Sequence, residues 1–314
     1  MFKYVFGPVP SRRLGRSLGI NNIPPKHCTY SCVYCQLGRT LNYEYKRKVF
    51  YTSREILEEL LNFLEKFKGR VDYITFVPDG EPSLDMNIGE TVTAIRDHVN
   101  IPLAIISNSS LMFDEKVRED LKLFDLVSLK IDAVEGEIWR RINRPHPKLN
   151  LKNILRGIRL FSESFNGTLI TESMIVKNVN DIDEHVEKLS EFIGFVNPSK
   201  AYISVPIRPP AEKWVSIPDE EKLLKIYDRF VDVLGEGKVE LLTGYEGPNF
   251  TSLPDPIQAI LSITYVHPIR LDYAYKMLEN YHLNPQETLD RLVREGEIVM
   301  LKYKGYTFVM RKLK

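Results

Sequence analysis

Hydrophobic positions along the chain switch repeatedly between the spacing of a helix and the spacing of a strand. Between residues 53 and 69, apolar side chains recur every three or four positions, which predicts an amphipathic helix. The next apolar run, at 71–77, is short and rich in β-branched residues, which predicts a buried strand. Further strands are predicted at 17–23, 103–107, 126–131, 168–176 and 201–206. Further helices are predicted at 88–99, 114–123, 135–142, 151–164, 182–195 and 219–234.

This alternation of strand and helix occurs six times up to about Gly244. Repeated units of this kind predict an α/β fold with a parallel sheet and the helices outside it. Six units fit a partial (β/α)6 barrel better than a closed barrel of eight strands. We therefore expect one large domain at 1–244.

The pattern changes after Gly244, where three helices and a hairpin are predicted. The hairpin turns at Lys304-Gly305 between two alternating strands. Three helices followed by a β-hairpin resemble a winged helix, so we expect a small second domain at 245–314. Its elements are predicted as helices opening at 253–256 and spanning 271–280 and 285–295, with strands at 298–303 and 306–311.

The composition is that of an ordinary globular protein, with 43% hydrophobic and 27% charged residues. No apolar run reaches the 18 or so residues of a membrane span, and the first residues lack the apolar core of a signal peptide. We therefore expect a cytoplasmic protein with no membrane partner. The formal net charge of +1 conceals two basic blocks. Residues 11–48 hold eight Lys or Arg and one acid, and 139–159 hold seven and none.

Three cysteines lie within eight residues, in the pattern Cys28-x3-Cys32-x2-Cys35. An odd number so closely spaced excludes a disulfide framework and indicates metal binding or redox chemistry. Three soft thiolates on one loop suit an iron–sulfur cluster, which would keep one iron without a protein ligand. A structural zinc site needs four ligands, and the nearby candidate for the fourth is His27. Both kinds of site stay open on the residues alone.

With the aromatic Tyr34 before the third cysteine, this motif resembles that of the radical S-adenosylmethionine (SAM) superfamily. The resemblance implies one four-iron four-sulfur cluster on Cys28, Cys32 and Cys35, with SAM bound to the open iron. It also implies reductive cleavage of SAM to a 5′-deoxyadenosyl radical, supplied with an electron by a reductant protein. The radical then takes a hydrogen atom from the substrate.

The segment Asp79-Gly80-Glu81-Pro82 follows the second predicted strand and resembles the Gly-Gly-Glu element of that family, with Asp79 in place of the first glycine. The resemblance implies that this element meets the SAM ammonium, while Lys130 neutralises the SAM carboxylate and Asp132 meets the ribose. Functional residues gather at the carboxyl ends of strands in parallel barrels. The expected cofactor-binding residues are Tyr34, Gly80, Glu81, Asn108, Lys130, Asp132, Glu172 and Val205.

The segments 7–15 and 35–40 resemble a subgroup related to the tRNA wyosine synthases. Those enzymes carry a second cluster on additional cysteines, and this chain has no cysteine beyond the three. We therefore expect a related enzyme with a different reaction.

Two basic blocks near the expected mouth of the barrel favour an anionic substrate such as tRNA. Aromatic residues at 43–51 interleave with Lys46, Arg47 and Lys48, as in a stacking surface for unpaired bases. Winged helices often bind nucleic acid. Two alternatives remain open: radical modification of a protein or peptide recognised by the winged helix, and a zinc-stabilised nucleic-acid-binding protein without catalysis.

Overall fold

The computed structural model describes residues 2–245 and 255–312, so the predicted helix start at 253–254 lies outside the described residues. The strands are β1 (Val5–Ser11), β2 (Gly15–Ile20), β3 (His27–Cys28), β4 (Asn42–Tyr43), β5 (Tyr73–Phe76), β6 (Leu103–Ser107), β7 (Leu126–Lys130), β8 (Thr168–Met174), β9 (Lys200–Ser204), β10 (Val239–Leu242), β11 (Ile269–Arg270), β12 (Ile298–Tyr303) and β13 (Tyr306–Arg311). The α-helices are α1 (Ser53–Lys66), α2 (Ile88–Arg96), α3 (Glu115–Leu121), α4 (Gly136–Asn143), α5 (Leu151–Ser164), α6 (Asp183–Val196), α7 (Glu220–Leu234), α8 (Pro256–Val266), α9 (Leu271–Glu279) and α10 (Pro285–Arg294).

The main sheet has eight strands in the order β1-β2-β5-β6-β7-β8-β9-β10. All neighbours from β2 to β10 are parallel, which confirms the predicted α/β fold with its parallel sheet. Strand β1 pairs antiparallel with β2 and extends the sheet at one edge. Sequence reasoning missed β1, which contains two prolines, and β10, which has four residues and no helical pattern after it.

Local sequence explains why the outer helices form where they do. Helix α1 begins with a capping box, in which the Thr52 side chain accepts from the Glu55 amide and the Glu55 carboxylate accepts from the Thr52 amide. Its residues Ile56, Leu60 and Phe63 are buried against the sheet. Such helices cover the outer face of the sheet. Polar side chains at the strand ends can therefore point to the inner face.

The inner face of the sheet carries its own small apolar cluster, separate from the core under the helices. Its members alternate along the strands with residues that face the helices, as strand geometry requires. They are Leu14, Ala104, Leu126, Ile170, Tyr202 and Leu242. This cluster covers the inner face of the sheet.

The C-terminal helices accompany a second sheet, in the order β11-β13-β12, and pack against the edge of the main sheet. Helix α8 lies against β1 and β13. The Tyr303 hydroxyl donates to the carbonyl of Pro206 at 2.8 Å, just beyond the end of β9. The antiparallel hairpin predicted at 298–311 is confirmed, with Tyr303 paired to Tyr306 at its turn. The winged-helix arrangement stays a prediction.

Across the described residues, the helices are too short or too polar to traverse a lipid bilayer.

Candidate active site

A cavity of about 360 Å³ opens at the carboxyl ends of the parallel strands. All the sequence-predicted site residues except Asp132 line it. Those residues are Cys28, Cys32, Cys35, Tyr34, Gly80, Glu81, Asn108, Lys130, Glu172 and Val205. They come from the loop after β2 and from the ends of five other strands, so the fold brings together positions far apart in sequence.

The cysteine loop is joined to the Asp79–Glu81 turn through backbone hydrogen bonds. The Lys26 amide donates to the Asp79 carbonyl at 2.8 Å, and the Glu81 amide donates to the His27 carbonyl at 3.0 Å. Gly80 sits within this contact with a φ of 155°. A Cβ on Gly80 would lie 2.0 Å from the His27 oxygen, so no other residue fits there. Glycine at this position therefore allows the two segments to pair.

Helix α4 supports the cysteine loop from behind. The Ser31 amide donates to the Asn143 carbonyl at 3.0 Å, and the Val33 amide donates to the Ile142 carbonyl at 2.9 Å. The Trp139 indole nitrogen donates to the hydroxyl of Tyr30, a cavity residue, at 3.1 Å. The loop is thus fixed on two sides before any ligand binds.

The three cysteines are partly buried, and two of their sulfurs lie near side-chain amide donors. Burial raises the pKa of Cys32 to about 12, helped by the negative charge of Asp132 and opposed by the Asn143 amide. That amide nitrogen lies 3.4 Å from the Cys32 sulfur, and the Asn108 amide nitrogen lies 3.5 Å from the Cys28 sulfur. Burial also raises the pKa of Cys28 and of Cys35. A metal bound here would displace the thiol protons.

This donor set fits a cluster held by three cysteines, since three soft sulfurs line one cavity. In the ranges 2–245 and 255–312, no three Cys, His, Asp or Glu side chains already converge as metal ligands, so the fit rests on donor chemistry and placement. A zinc site fits less well. The His27 ring lies outside the cavity lining. Its Nδ1 atom is 2.7 Å from Glu44 Oε1, and the ring packs in a T-shaped arrangement with that of Phe50.

Asp79, where the family pattern has glycine, forms a buried ion pair with Lys26. The Lys26 Nζ and Asp79 Oδ1 atoms are 3.4 Å apart, and both side chains are less than a tenth exposed. Lys26 also donates to the Leu37 carbonyl. Burial raises the pKa of Asp79 to about 6, although the Lys26 charge opposes the rise. The Asp79 Oδ2 atom is buried and has no hydrogen-bond partner among the described residues.

The Glu81 carboxylate is bonded by the protein on both oxygens. Oε1 accepts from the Ser83 amide at 3.1 Å, from the Ser83 hydroxyl at 2.5 Å and from the Ser107 hydroxyl at 2.8 Å. Oε2 accepts from the Asn108 backbone amide at 2.7 Å. Burial raises the pKa of Glu81, and these hydrogen bonds oppose the rise. Glu81 therefore fastens its turn to the end of β6, a role that sequence reasoning did not assign.

Lys130 lies between two carboxylates on the cavity wall. Its Nζ atom is 3.3 Å from Asp132 Oδ1 and 3.5 Å from Glu172 Oε1, and it lies 4.7 Å from the centre of the Tyr34 ring. Glu172 also pairs with Arg13. The wall therefore carries a chain of alternating charges from Arg13 to Asp132.

Asp132 lies one layer behind the cavity. Its carboxylate accepts from the Tyr34 hydroxyl, from the Asn143 amide at 2.7 Å and from the Met174 backbone amide at 2.8 Å. It lines a much smaller cavity together with Trp139. The geometry gives Asp132 a role in positioning Tyr34 and Lys130.

A cover of arginine and apolar residues closes the other side of the cavity. The hairpin β1–β2 contributes Arg12 and Arg13, and the C-terminal unit contributes Val266 and His267. Arg208, after β9, lies 3.1 Å from His267 Nε2. Sequence reasoning missed all of these as site residues. Arg12 and Arg13 lay in a segment already singled out as distinctive, whereas tertiary packing alone brings His267 here.

The predicted aromatic stacking surface at 43–51 is only partly at the surface. Arg47 is partly buried and pairs with Asp120, and the Tyr51 ring packs edge-on to that of Tyr4. Tyr43 is 36% exposed. Lys46, Lys48 and Val49 are exposed as well, so the stretch alternates between residues that reach solvent and residues that pack inward.

A sequence model described as the radical SAM superfamily matches residues 22–193 of this chain. A UPF0026 protein of Methanocaldococcus jannaschii is 44% identical to it over 98% of this chain and 96% of that protein. A probable dual-specificity RNA methyltransferase of Microcystis aeruginosa is 24% identical over 69% of this chain and 62% of that protein.

Among solved structures, TYW1 with a lysine-pyruvate adduct bound aligns with a TM-score of 0.53. The alignment covers 69% of this chain and 73% of that chain at 14% identity. At that identity the likeness concerns the fold alone, and it agrees with the parallel sheet described above.

Proposed function

Because this chain belongs to the radical SAM superfamily, we propose that it cleaves SAM reductively at a four-iron four-sulfur cluster to modify an anionic substrate, with tRNA as the leading candidate. The observation that carries the proposal is the shared cavity: three thiols, strand-end charges of both signs and an arginine-bearing cover all line it. When bound, cluster and SAM supply the 5′-deoxyadenosyl radical chemistry. The protein supplies the binding, orientation and shielding described next.

Charges of both signs suit the amino acid part of SAM, which carries an ammonium and a carboxylate. Lys130 presents a cation beside the thiols, and the Asp79 Oδ2 atom is a buried acceptor on the cavity wall. We assign Lys130 to the SAM carboxylate and the turn of Asp79, Gly80 and Glu81 to the ammonium. Asn108, Glu172, Tyr34 and the backbone at Val205 complete the proposed SAM site.

The substrate proposal rests on the charge of the cover. Arg12, Arg13 and Arg208 line the cavity together with the proposed SAM site, and Arg13 pairs with Glu172 beside Lys130. Arginine binds phosphate and carboxylate groups with a geometry that lysine cannot match. The similarity to an RNA methyltransferase of Microcystis aeruginosa agrees with a nucleic acid substrate.

We assign residues 1–244 to the SAM domain and 245–314 to a winged-helix-like domain that presents the substrate to the cavity. The placement of Val266 and His267 on the cavity supports this division. In this arrangement, substrate recognition and cavity closure involve the same unit.

Anaerobic purification followed by iron, sulfide and zinc analysis tests the cofactor. We expect about four irons per chain and production of 5′-deoxyadenosine from SAM with dithionite. A colourless protein with stoichiometric zinc would establish the non-catalytic alternative. Loss of activity in a protein that still binds iron would point instead to the SAM site.

Binding of bulk tRNA over a salt series tests the substrate class. We expect the binding constant to fall steeply as salt rises, because phosphate contacts release counterions. Replacing Arg12 and Arg208 with Gln should lower the slope, while replacing the exposed Lys116 on α3 should leave it unchanged. A salt-insensitive constant would favour a protein or peptide substrate.

A further inference from the structure

The cysteine loop has an outer face that does not border the cavity. Cys28 pairs with Tyr43 of β4, and the Glu44 amide donates to the Cys28 carbonyl at 3.0 Å. On the neighbouring segment, the His146 amide donates to the Thr29 carbonyl at 2.9 Å. Neither Tyr43 nor His146 lines the cavity. Solvent therefore approaches the first cysteine through one layer of residues on this side.

This outer face is basic, and we name it the basic patch: Tyr43, Tyr45, Lys46, His146 and Lys148. The two lysines are exposed. Their Nζ atoms lie 5.8 and 5.0 Å from the centre of the Tyr45 ring, and Lys148 donates to the Tyr45 hydroxyl at 3.2 Å. Burial and the Lys148 charge lower the pKa of His146, so that ring is neutral near pH 7. The positive charge of the patch therefore comes from its lysines.

The carboxylates bordering the basic patch are already paired with cations. Glu44 lies 2.6 Å from Lys48 Nζ, and Glu212 lies 2.8 Å from Arg39 Nε and 2.5 Å from Arg144 Nη1. These pairs contain three cations and two carboxylates, so they carry one net positive charge. Lys46 and Lys148 add to that surplus, so the face presents positive charge to an approaching protein.

We propose that the basic patch docks an acidic one-electron carrier protein, of the flavin or iron–sulfur class, that reduces the cluster. The inference rests on the proposed function, since only an enzyme of that kind needs such an electron. At this surface the reduced carrier loses one electron and the cluster gains one, and no covalent bond forms or breaks. Electron transfer weakens steeply with distance, and at Tyr43 the surface is one backbone pair away from a cluster ligand.

Two observations favour an electron carrier over RNA at this face. The Tyr45 ring stacks on that of His146, with centroids 4.7 Å apart, and both lysines lie near it, so its surface is occupied. The basic patch is also separate from the cavity, where a modified base would have to enter. Carrier complexes are small and transient and rely on charge for their encounter rate.

The first arm of the test measures binding without turnover. The full-length, cluster-free protein is titrated with an acidic flavodoxin and with an acidic ferredoxin, at low and at physiological salt. For at least one carrier, we expect Lys46→Glu/Lys148→Glu to raise the Kd about tenfold or more at low salt. The control Lys116→Glu reverses an exposed charge on α3 and should leave the Kd unchanged. If neither carrier binds, or the patch variant binds as well as the native chain, the proposal is overturned.

The second arm separates this proposal from the proposed function. SAM cleavage by the loaded patch variant should be unchanged with dithionite and reduced about tenfold with the reduced carrier at subsaturating concentration. Loss of tRNA binding with retained carrier binding would make the patch a nucleic acid surface and overturn the proposal. Failure of the native chain to cleave SAM with dithionite would defeat the proposed function instead, whatever the carrier binding shows.

Discussion

The two walls of the cavity differ in how their polar groups are satisfied. On the strand-end wall, Glu81 is bonded to Ser107 and to the Asn108 backbone amide, and Lys130 pairs with Asp132 and Glu172. On the cover, Arg208 and His267 belong to different units that meet across the cavity. The first wall is built within one sheet, whereas the second depends on docking of the C-terminal unit.

This difference indicates a division of labour. A network fixed by strand ends keeps its geometry whatever enters, which suits a cofactor of constant shape. A wall assembled from two units can adjust its position, which suits a larger and more variable substrate. Substitutions on the first wall should therefore damage cofactor chemistry or folding, and substitutions on the second should have small effects on both.

Cys32→Ala gives the largest expected effect on the strand-end wall. Removing one of three sulfur ligands should abolish iron retention and lower 5′-deoxyadenosine formation by at least about a hundredfold. Iron content and SAM cleavage under dithionite measure both. Deoxyadenosine production at the native rate would contradict the cluster assignment.

Gly80→Ala should destabilise the fold by about 3 kcal/mol or more, because the new Cβ would lie 2.0 Å from the His27 oxygen. Gly38→Ala is the matched control, since Gly38 also has a positive φ, of 84°, but nothing lies within 4 Å of its Cβ position. Urea unfolding of both variants separates clash from backbone strain. Equal losses would show that the pairing of the two segments tolerates a side chain.

Asp79→Asn should change how stability depends on pH. The folded pKa of Asp79 is raised from 3.8 to about 6, so its contribution to stability is present below pH 4 and is lost as the pH rises through 6. The unfolding free energy of the variant relative to the native chain should therefore increase by about 2 kcal/mol between pH 4 and pH 7. Urea unfolding of cluster-free protein across that range measures it. If the difference in unfolding free energy between the variant and the native chain does not change with pH, Asp79 does not cause the pH dependence.

Glu81→Gln should lower the unfolding free energy by about 2 kcal/mol. The glutamine side chain has one accepting oxygen, so it cannot replace both carboxylate oxygens, which accept from the Asn108 backbone amide and from the Ser83 and Ser107 hydroxyls. SAM affinity should fall as well. If affinity falls while the urea midpoint is unchanged, direct contact with SAM outweighs the structural role.

Tyr303→Phe gives the smallest expected effect, about 1 kcal/mol, from loss of the hydrogen bond to the Pro206 carbonyl. SAM cleavage without substrate should stay near the native rate, while tRNA binding weakens a few-fold because the cover is held less firmly. An effect as large as that of Gly80→Ala would remove the distinction between the two walls.

The positions of the strand-end residues could be predicted from the sequence, while their roles toward SAM stay predictions. Apolar runs locate the strands, and residues such as Asn108 and Lys130 follow from where those runs stop. Asp132 shows the limit: its position was predicted, but the direction of its side chain depends on the Tyr34 hydroxyl and the Asn143 amide. Arg208 and His267 could not be predicted, since their meeting depends on how the C-terminal unit packs.

The hydrogen bond from Trp139 to Tyr30 has a spectroscopic consequence. The chain has two tryptophans; Trp139 is 5% exposed, and Trp214 is 52% exposed. A Trp214→Phe chain therefore carries one indole, bonded to a cavity residue of the cysteine loop. Because an iron–sulfur chromophore absorbs where indole emits, its fluorescence should be quenched as the cluster is assembled. Cluster loading could then be followed continuously in solution, without measuring turnover.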